Sequence, residues 1–318
     1  MDIKITSAEH GMTVFELLRK RMKISSRSLR RLKYTLGGIT VNGEQVTVRR
    51  VLSEGDLLVL DVGDHPSGAG TDSVIPRRLP LSIVYEDDEL LLADKPAGMP
   101  THPTHGHLDD TLANALAFRA ETRGIPFVFR PANRLDRNTS GLVLAANDCI
   151  TSGRLFEAMR AGKIRKTYIA VTCGVPSPAA GTVNAPIARA DAGTLMRVVD
   201  EDGSLGGQEA LTEYRTVRTS PDGKYALVVL HPLTGRTHQL RVHMAHLGCP
   251  LLGDFLYGEE SPLIGRHALH AARLEFDHPA DGRHIVASSP LPDDFLRVCE
   301  TLFPEEDAAP DEDEKENV

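Results

Sequence analysis

Between residues 130 and 146 the chain reads Arg130-Pro-Ala-Asn-Arg-Leu-Asp-Arg-Asn-Thr-Ser-Gly-Leu-Val-Leu-Ala-Ala146. One acid, Asp136, stands between Arg134 and Arg137. Flanking guanidinium charge favours the ionised carboxylate. Such a carboxylate, held on a loop, can serve as a nucleophile, a general base, a metal ligand or half of a structural ion pair. The polar turn from Asn138 to Gly141 leads into an apolar run, 142–146, that reads as a buried strand. A charged loop feeding a core strand fixes a reactive side chain on a rigid edge.

Other residues could join the chemistry. Lys95 ends an apolar run at Leu90-Leu-Leu-Ala93, just before Pro96 and Gly98 turn the chain. It either points into a cleft or is a surface lysine of the turn. His102, His105 and His107 sit close together, but neither cysteine nor a patterned carboxylate accompanies them, and no metal is expected there. Lys166 and Tyr168 lie in 163–171, which alternates as a strand does. Arg241 lies beside the stripe Leu240, Met244 and Leu247 of a helix that Thr237 can cap. That position is near the interior, where an arginine requires a carboxylate partner. His238, His243 and His246 read as structural hydrogen-bonding residues.

These side chains need elements to position them. Thr13 can cap a helix through Val14, Phe15, Leu17 and Leu18. Ser25 or Ser26 can cap a second, with Leu29, Leu32 and Leu36 at helical spacing and Arg27, Arg30, Arg31 and Lys33 on its other faces. Asn42-Gly43 between 39–41 and 44–46 predicts a hairpin. Residues 63–80 are rich in Gly and Pro and read as a flexible linker. Asp110 or Thr111 can cap a helix through Leu112, Leu116 and Phe118. Residues 152–161 predict a helix with Leu155, Phe156 and Met159 inward, stopped by Gly162. The stretches 81–85, 225–230 and 270–276 read as strands.

At 318 residues and 41% hydrophobic, the chain can hold a large domain and a small one. Its four cysteines are far apart and form neither a disulfide framework nor a zinc knuckle. The start lacks the apolar core of a signal peptide, and no run of about 18 apolar residues exists. A cytoplasmic location and no membrane partner are therefore expected. The net charge of −8 hides a polarity: residues 305–318 hold eight acids and one lysine, whereas residues 1–60 hold eleven Lys and Arg against six Asp and Glu. A nucleic-acid partner needs a basic face, not a basic total. The acidic, apolar-poor tail reads as disordered.

The order Arg-Leu-Asp-Arg-Asn-Thr-Ser-Gly-Leu-Val-Leu resembles the signature of the RluA-type RNA pseudouridine synthases. Asp94-Lys-Pro-Ala-Gly-Met-Pro100, Lys166-Thr-Tyr168 and Gly235-Arg-Thr-His-Gln-Leu-Arg241 resemble that family's other motifs, in the expected order, and Pro250-Leu-Leu-Gly-Asp254 also fits its pattern. The resemblance covers residues 81–300. It implies Asp136 as the catalytic aspartate, Tyr168 packed on the target base, and Arg241 paired with the catalytic acid. It implies Arg134 as the side chain that fills the gap left by the displaced uridine. The implied fold is α+β, with a large, mostly antiparallel mixed sheet. The implied reaction uses neither cofactor nor metal. Residues 10–60 resemble the small RNA-binding module named after the S-four ribosomal protein, whose basic helix here carries Arg27, Arg30, Arg31 and Lys33. The expected domains are 1–62 for RNA binding, 63–80 as linker, 81–304 for catalysis and 305–318 as tail. The expected partner is rRNA of the large subunit, or tRNA, bound by a monomer. One departure stands out: Asn133 occupies a position where the family commonly has histidine. It alone favours the alternative, a catalytically inactive RNA-binding protein of the same fold.

Overall fold

The structure, a computed structural model, describes residues 1–22, 24, 26–62, 74–191 and 193–304. The side chain of Arg27, the Ser25 cap, most of the expected linker and the acidic tail lie outside the described residues.

In chain order the elements are β1 (Asp2–Lys4), α1 (Val14–Glu16), a π-helical turn (Leu17–Arg21), α2 (Ser26–Tyr34), β2 (Ile39–Val41), β3 (Glu44–Gln45), β4 (Leu57–Leu60), β5 (Ser82–Glu86), β6 (Leu90–Lys95), α3 (Leu112–Thr122), β7 (Ser140–Ala146), α4 (Cys149–Arg160) and β8 (Arg165–Cys173). There follow β9 (Ala180–Asn184), β10 (Ile187–Arg189), β11 (Arg197–Val199), β12 (Leu211–Thr219), β13 (Tyr225–Pro232), α5 (Gln239–His246), β14 (Leu269–Asp277), β15 (His284–Ser288) and α6 (Asp293–Leu302). The chain divides into two compact units: residues 1–167 with 271–289, and residues 168–270 with those after 290. Both contain antiparallel strand pairs and helices, so the class is α+β, as expected.

The first unit begins with a four-stranded sheet in the order β1-β4-β2-β3. Thr13 caps α1 and forms a capping box with Glu16. The hairpin forms at Asn42-Gly43, both with positive φ, as a tight two-residue turn requires. Leu29 and Leu32 of α2 are buried, but Leu36 is 89% exposed. The helix ends at Tyr34, so the expected helical spacing never reaches Leu36. Ile150 of α4 belongs to the same apolar core as Leu18, Leu29 and Leu58. The Ser28 hydroxyl donates to the Cys149 carbonyl at 3.1 Å.

A second core in this unit joins Leu90, Leu92, Leu142, Leu144, Leu155 and Phe276. It lies on the strand run β5-β6-β7-β14, with β15 on β14. All seven residues of β7 are buried. Asp148 caps α4 by accepting from the amides of Ile150 and Thr151, so this helix starts three residues before the expected Ser152. Phe156, expected inward, is 61% exposed: the apolar stripe runs through Ile150 and Leu155 instead.

The second unit carries β8-β13-β12-β9. Its core gathers Val171, Leu252, Ile264, Phe295 and Val298. Arg266 donates twice to Asp294 of α6, at 2.7 and 3.0 Å. Thr237 does not cap α5. His238 takes that place in a left-handed conformation, φ 57°, and Gln239 accepts from the Arg236 amide at 2.9 Å.

Candidate active site

Asp136 sits half-buried on the loop that feeds β7, and a second loop, 96–101, holds the residues on both sides of it. The Thr101 hydroxyl donates to the Leu135 carbonyl at 2.9 Å and accepts from the Leu135 amide at 3.2 Å. Lys95 donates to the carbonyls of Pro96, Met99 and Arg137 at 2.9, 2.7 and 3.1 Å. Arg137 Nε donates to the Gly98 carbonyl at 3.0 Å. The acid is therefore flanked by two backbone positions held by hydrogen bonds. This is preorganisation by supporting hydrogen bonds.

Lys95 corrects both sequence expectations. It is neither in a cleft nor on the surface but fully buried. A buried ammonium is costly unless its donors are matched, and three carbonyls accept from it.

Gly141 ends the polar turn beside Lys95, its partner across β6 and β7. Its φ is +108°, and a Cβ there would fall 2.2 Å from the Ala271 carbonyl oxygen. Only glycine lets β7 approach β14 this closely. Asn133 is buried just upstream. Its Nδ2 donates to the Leu142 carbonyl at 3.0 Å, and its Oδ1 accepts from the Leu144 amide at 2.8 Å. The departure from the usual histidine is thus occupied in holding the loop to β7.

Arg134 is exposed two residues before Asp136. On α2, Arg30 and Lys33 are exposed and Arg31 is half-buried. All of these share the first unit with Asp136. Burial pushes the Lys166 ammonium, on β8, down to about 8.

Tyr168, buried on β8, and Arg241, buried on α5, belong to the second unit. Arg241 meets the carboxylate requirement through Asp254, with Nε to Oδ2 and Nη2 to Oδ1 both at 2.7 Å. Burial alone would raise the Asp254 carboxyl, but the Arg241 hydrogen bonds and charge outweigh it and hold it below the usual range. The Arg241 guanidinium also lies 4.9 Å from the centre of the Tyr257 ring. The Tyr257 hydroxyl is 2.7 Å from His238 Nδ1. Asp254 and Tyr257 were not singled out as site residues from sequence. The signal was present in the Leu-Gly-Asp turn and in the need of Arg241 for an acid.

Histidine roles are mostly structural. His243 lies between the Thr212 hydroxyl and the Ala185 carbonyl, and burial lowers its basicity. His107 pairs with Asp110 at 2.7 Å, and His102 packs on Phe129. Among the described residues, the one group spaced to hold a metal ion is elsewhere, at Asp87, Glu89 and His278. Asp87 there already accepts from Tyr85 and Arg283.

The site thus defines an α+β protein that presents one half-buried acid, Asp136, between two exposed arginines, with the backbone on both sides of it held by hydrogen bonds. The sequence profile of RNA pseudouridylate synthases matches residues 89–246. The Bacillus subtilis protein named uncharacterized RNA pseudouridine synthase YhcT is 34% identical, over 95% of this chain and 97% of its own length. Ribosomal large subunit pseudouridine synthase D of Pseudomonas aeruginosa is 35% identical over 86% of each chain. The solved structure of human RNA Pseudouridylate Synthase Domain Containing 4 superposes with a TM-score of 0.55 at 29% identity, covering 69% of this chain and 92% of that one. The chain belongs to the RNA pseudouridine synthase family and is an enzyme of that class. No helix among the described residues is long and apolar enough to cross a membrane.

Proposed function

We propose that this enzyme isomerises specific uridines of structured RNA in the cytoplasm, with Asp136 as its catalytic residue. The observation that carries this is the two-sided clamp on Leu135 and Arg137, which holds the motif's single acid in place. The reaction breaks the bond from ribose C1′ to N1 of uracil, rotates the base and joins C1′ to C5. The C5 proton leaves and N1 gains one, so the exchange involves no redox change and needs no cofactor. The leaving uracil carries negative charge itself, so one carboxylate suffices where glycoside chemistry commonly employs two. Asp136 either attacks the sugar carbon or removes the 2′ proton. Tyr168 packs on the base and assists proton transfer. Arg241, fixed by Asp254, is the supporting cation of the reaction. Arg134 fills the stack that the uridine vacates.

Residues 1–62 act as the RNA-binding module, with Arg27, Arg30, Arg31 and Lys33 toward phosphate, and residues 81–304 as the catalytic domain. Large-subunit rRNA is the favoured substrate, since a relative of 35% identity carries that substrate in its name. The inactive alternative loses its one support, because Asn133 is accounted for by its two bonds to β7.

The decisive experiment compares wild-type enzyme with Asp136→Asn on total RNA from cells lacking the gene. The wild type should form pseudouridine at discrete sites. The variant should form none while binding the same RNA within a few-fold, since the swap removes charge but almost no volume. Turnover by the variant would overturn the assignment of Asp136.

A further inference from the structure

Residues 124–130 lead into the catalytic loop and carry more apolar surface than a solvated connection needs. Ile125 and Val128 are exposed, and Phe127 and Phe129 are half-buried. The two phenyl rings are 6.3 Å apart at 23°, close to parallel. The His102 ring packs on Phe129 from the other loop at 5.0 Å. The three rings thus cluster around Phe129.

The cluster is anchored at both ends to the elements that hold Asp136. The Arg130 carbonyl accepts from the Ala146 amide at 2.9 Å, and the Ala132 amide donates to Leu144 at 2.7 Å, so the segment after Phe129 is fixed on β7. His102 directly follows Thr101, which is bonded to Leu135 in both directions. Burial, and then the charge of Arg134, lowers the basicity of His102, whose ring packs on Phe129. Arg130, Arg134 and Arg137 stand within nine residues of Phe129, and the last two are exposed.

We propose that Phe127, Phe129 and His102 form a stacking platform for an unpaired RNA base beside the target uridine. This rests on the isomerase function above. Extruding a uridine costs its neighbours their stacking partners. An aromatic shelf returns that stacking to one of them, and arginines at its rim meet the flanking phosphates. Stacking accepts any base, so the platform favours an unpaired neighbour rather than a particular sequence. A protein ligand would not explain the placement of the rings on the two loops that clamp Asp136.

The test uses a nine-nucleotide single-stranded RNA with a central uridine and 2-aminopurine on each side. Stacking on an aromatic ring quenches that fluorophore. Wild-type protein and Asp136→Asn should quench it equally at saturation. Phe127→Leu with Phe129→Leu keeps the apolar bulk but removes the rings; it should abolish the quenching and weaken affinity by roughly tenfold or more, within the range known for base–aromatic stacking. Phe127→Tyr with Phe129→Tyr should restore both. On total RNA from cells lacking the gene, the Leu variant should need about tenfold more enzyme for half-saturation, with its saturated single-turnover rate within threefold of wild type.

Undiminished quenching by the Leu variant, or failure of the Tyr variant to restore it, would overturn the platform. Wild-type protein that quenches the probe but forms no pseudouridine in total RNA from cells lacking the gene would remove the isomerase function instead, so the two failures are distinguishable.

Discussion

The ammonium of Lys95 lies 3.1 Å from the carbonyl oxygen of Arg137, the residue that follows Asp136. A fully buried charge from one strand thus fixes the backbone beside the acid, while its other donors hold Pro96 and Met99. Lys95→Met keeps the stem and removes the donors. We predict a fall of at least tenfold in single-turnover rate, RNA affinity within threefold of wild type, and a stability loss of about 2–3 kcal/mol from the orphaned carbonyls. Denaturant melts and rates measured on the same preparation check this. An unchanged rate would mean that the loop holds its shape without Lys95.

Asn133 gives a prediction of the opposite kind. Its two bonds to β7 need one donor and one acceptor on a short side chain, which histidine also offers. Asn133→His should leave the rate within a few-fold. Asn133→Leu offers neither and should cost about 1–3 kcal/mol in stability. A hundredfold faster reaction in the His variant would show instead that the natural residue limits the chemistry.

What sequence could show follows from how local the controlling interaction is. The Asn42-Gly43 turn, the Thr13 and Thr111 caps and the buried run of β7 were legible because each depends on a few adjacent residues. The Asp136 loop was legible as a motif, but its clamp was not. Thr101 is 34 residues from Leu135 in sequence, and Lys95 is 42 from Arg137. Gly141 read as a turn residue, yet what excludes a side chain there is the Ala271 carbonyl on β14. The exposure of Phe156 and Leu36 escaped for a related reason: helical spacing gives a stripe, but the helix boundary decides where it falls. Asp254 escaped because an acid in a turn reads as solvated until a buried arginine is found against it.

That pair has a pH signature. The Asp254 carboxyl is held below its usual range in the fold, so the unfolded chain binds its proton more readily. The contribution is present above the unfolded value of about 3.9 and is lost as pH falls through the lower folded value. Asp254→Asn leaves Arg241 buried against a neutral amide and should cost about 3–5 kcal/mol near pH 7. In thermal melts from pH 7.5 to pH 3, the gap between variant and wild type should stay constant down to about pH 4 and then narrow. A gap that widens in acid would mean that Asp254 is not the group held ionised by Arg241.

The last prediction concerns the basic module. Arg30 and Lys33 are exposed on α2, while Leu29 and Leu32 of the same helix share a core with Ile150 of α4. Removing residues 1–62 therefore takes away the exposed basic charge of α2 and also uncovers an isoleucine that is 1% exposed in the intact chain. The simple truncation should melt earlier or aggregate. Adding Ile150→Gln, which places a polar helix former at the uncovered position, should restore solubility. That soluble truncation should bind RNA much more weakly at about 150 mM salt and only modestly more weakly at low salt, because each lost phosphate contact flattens the log–log salt slope by about one. At saturating concentration it should still modify its target in a single turnover, since Asp136, Tyr168 and Arg241 all remain. An unchanged slope would show that α2 does not touch phosphate. Loss of single-turnover activity at saturation, in a truncation shown to be folded, would show that the module helps to shape the site.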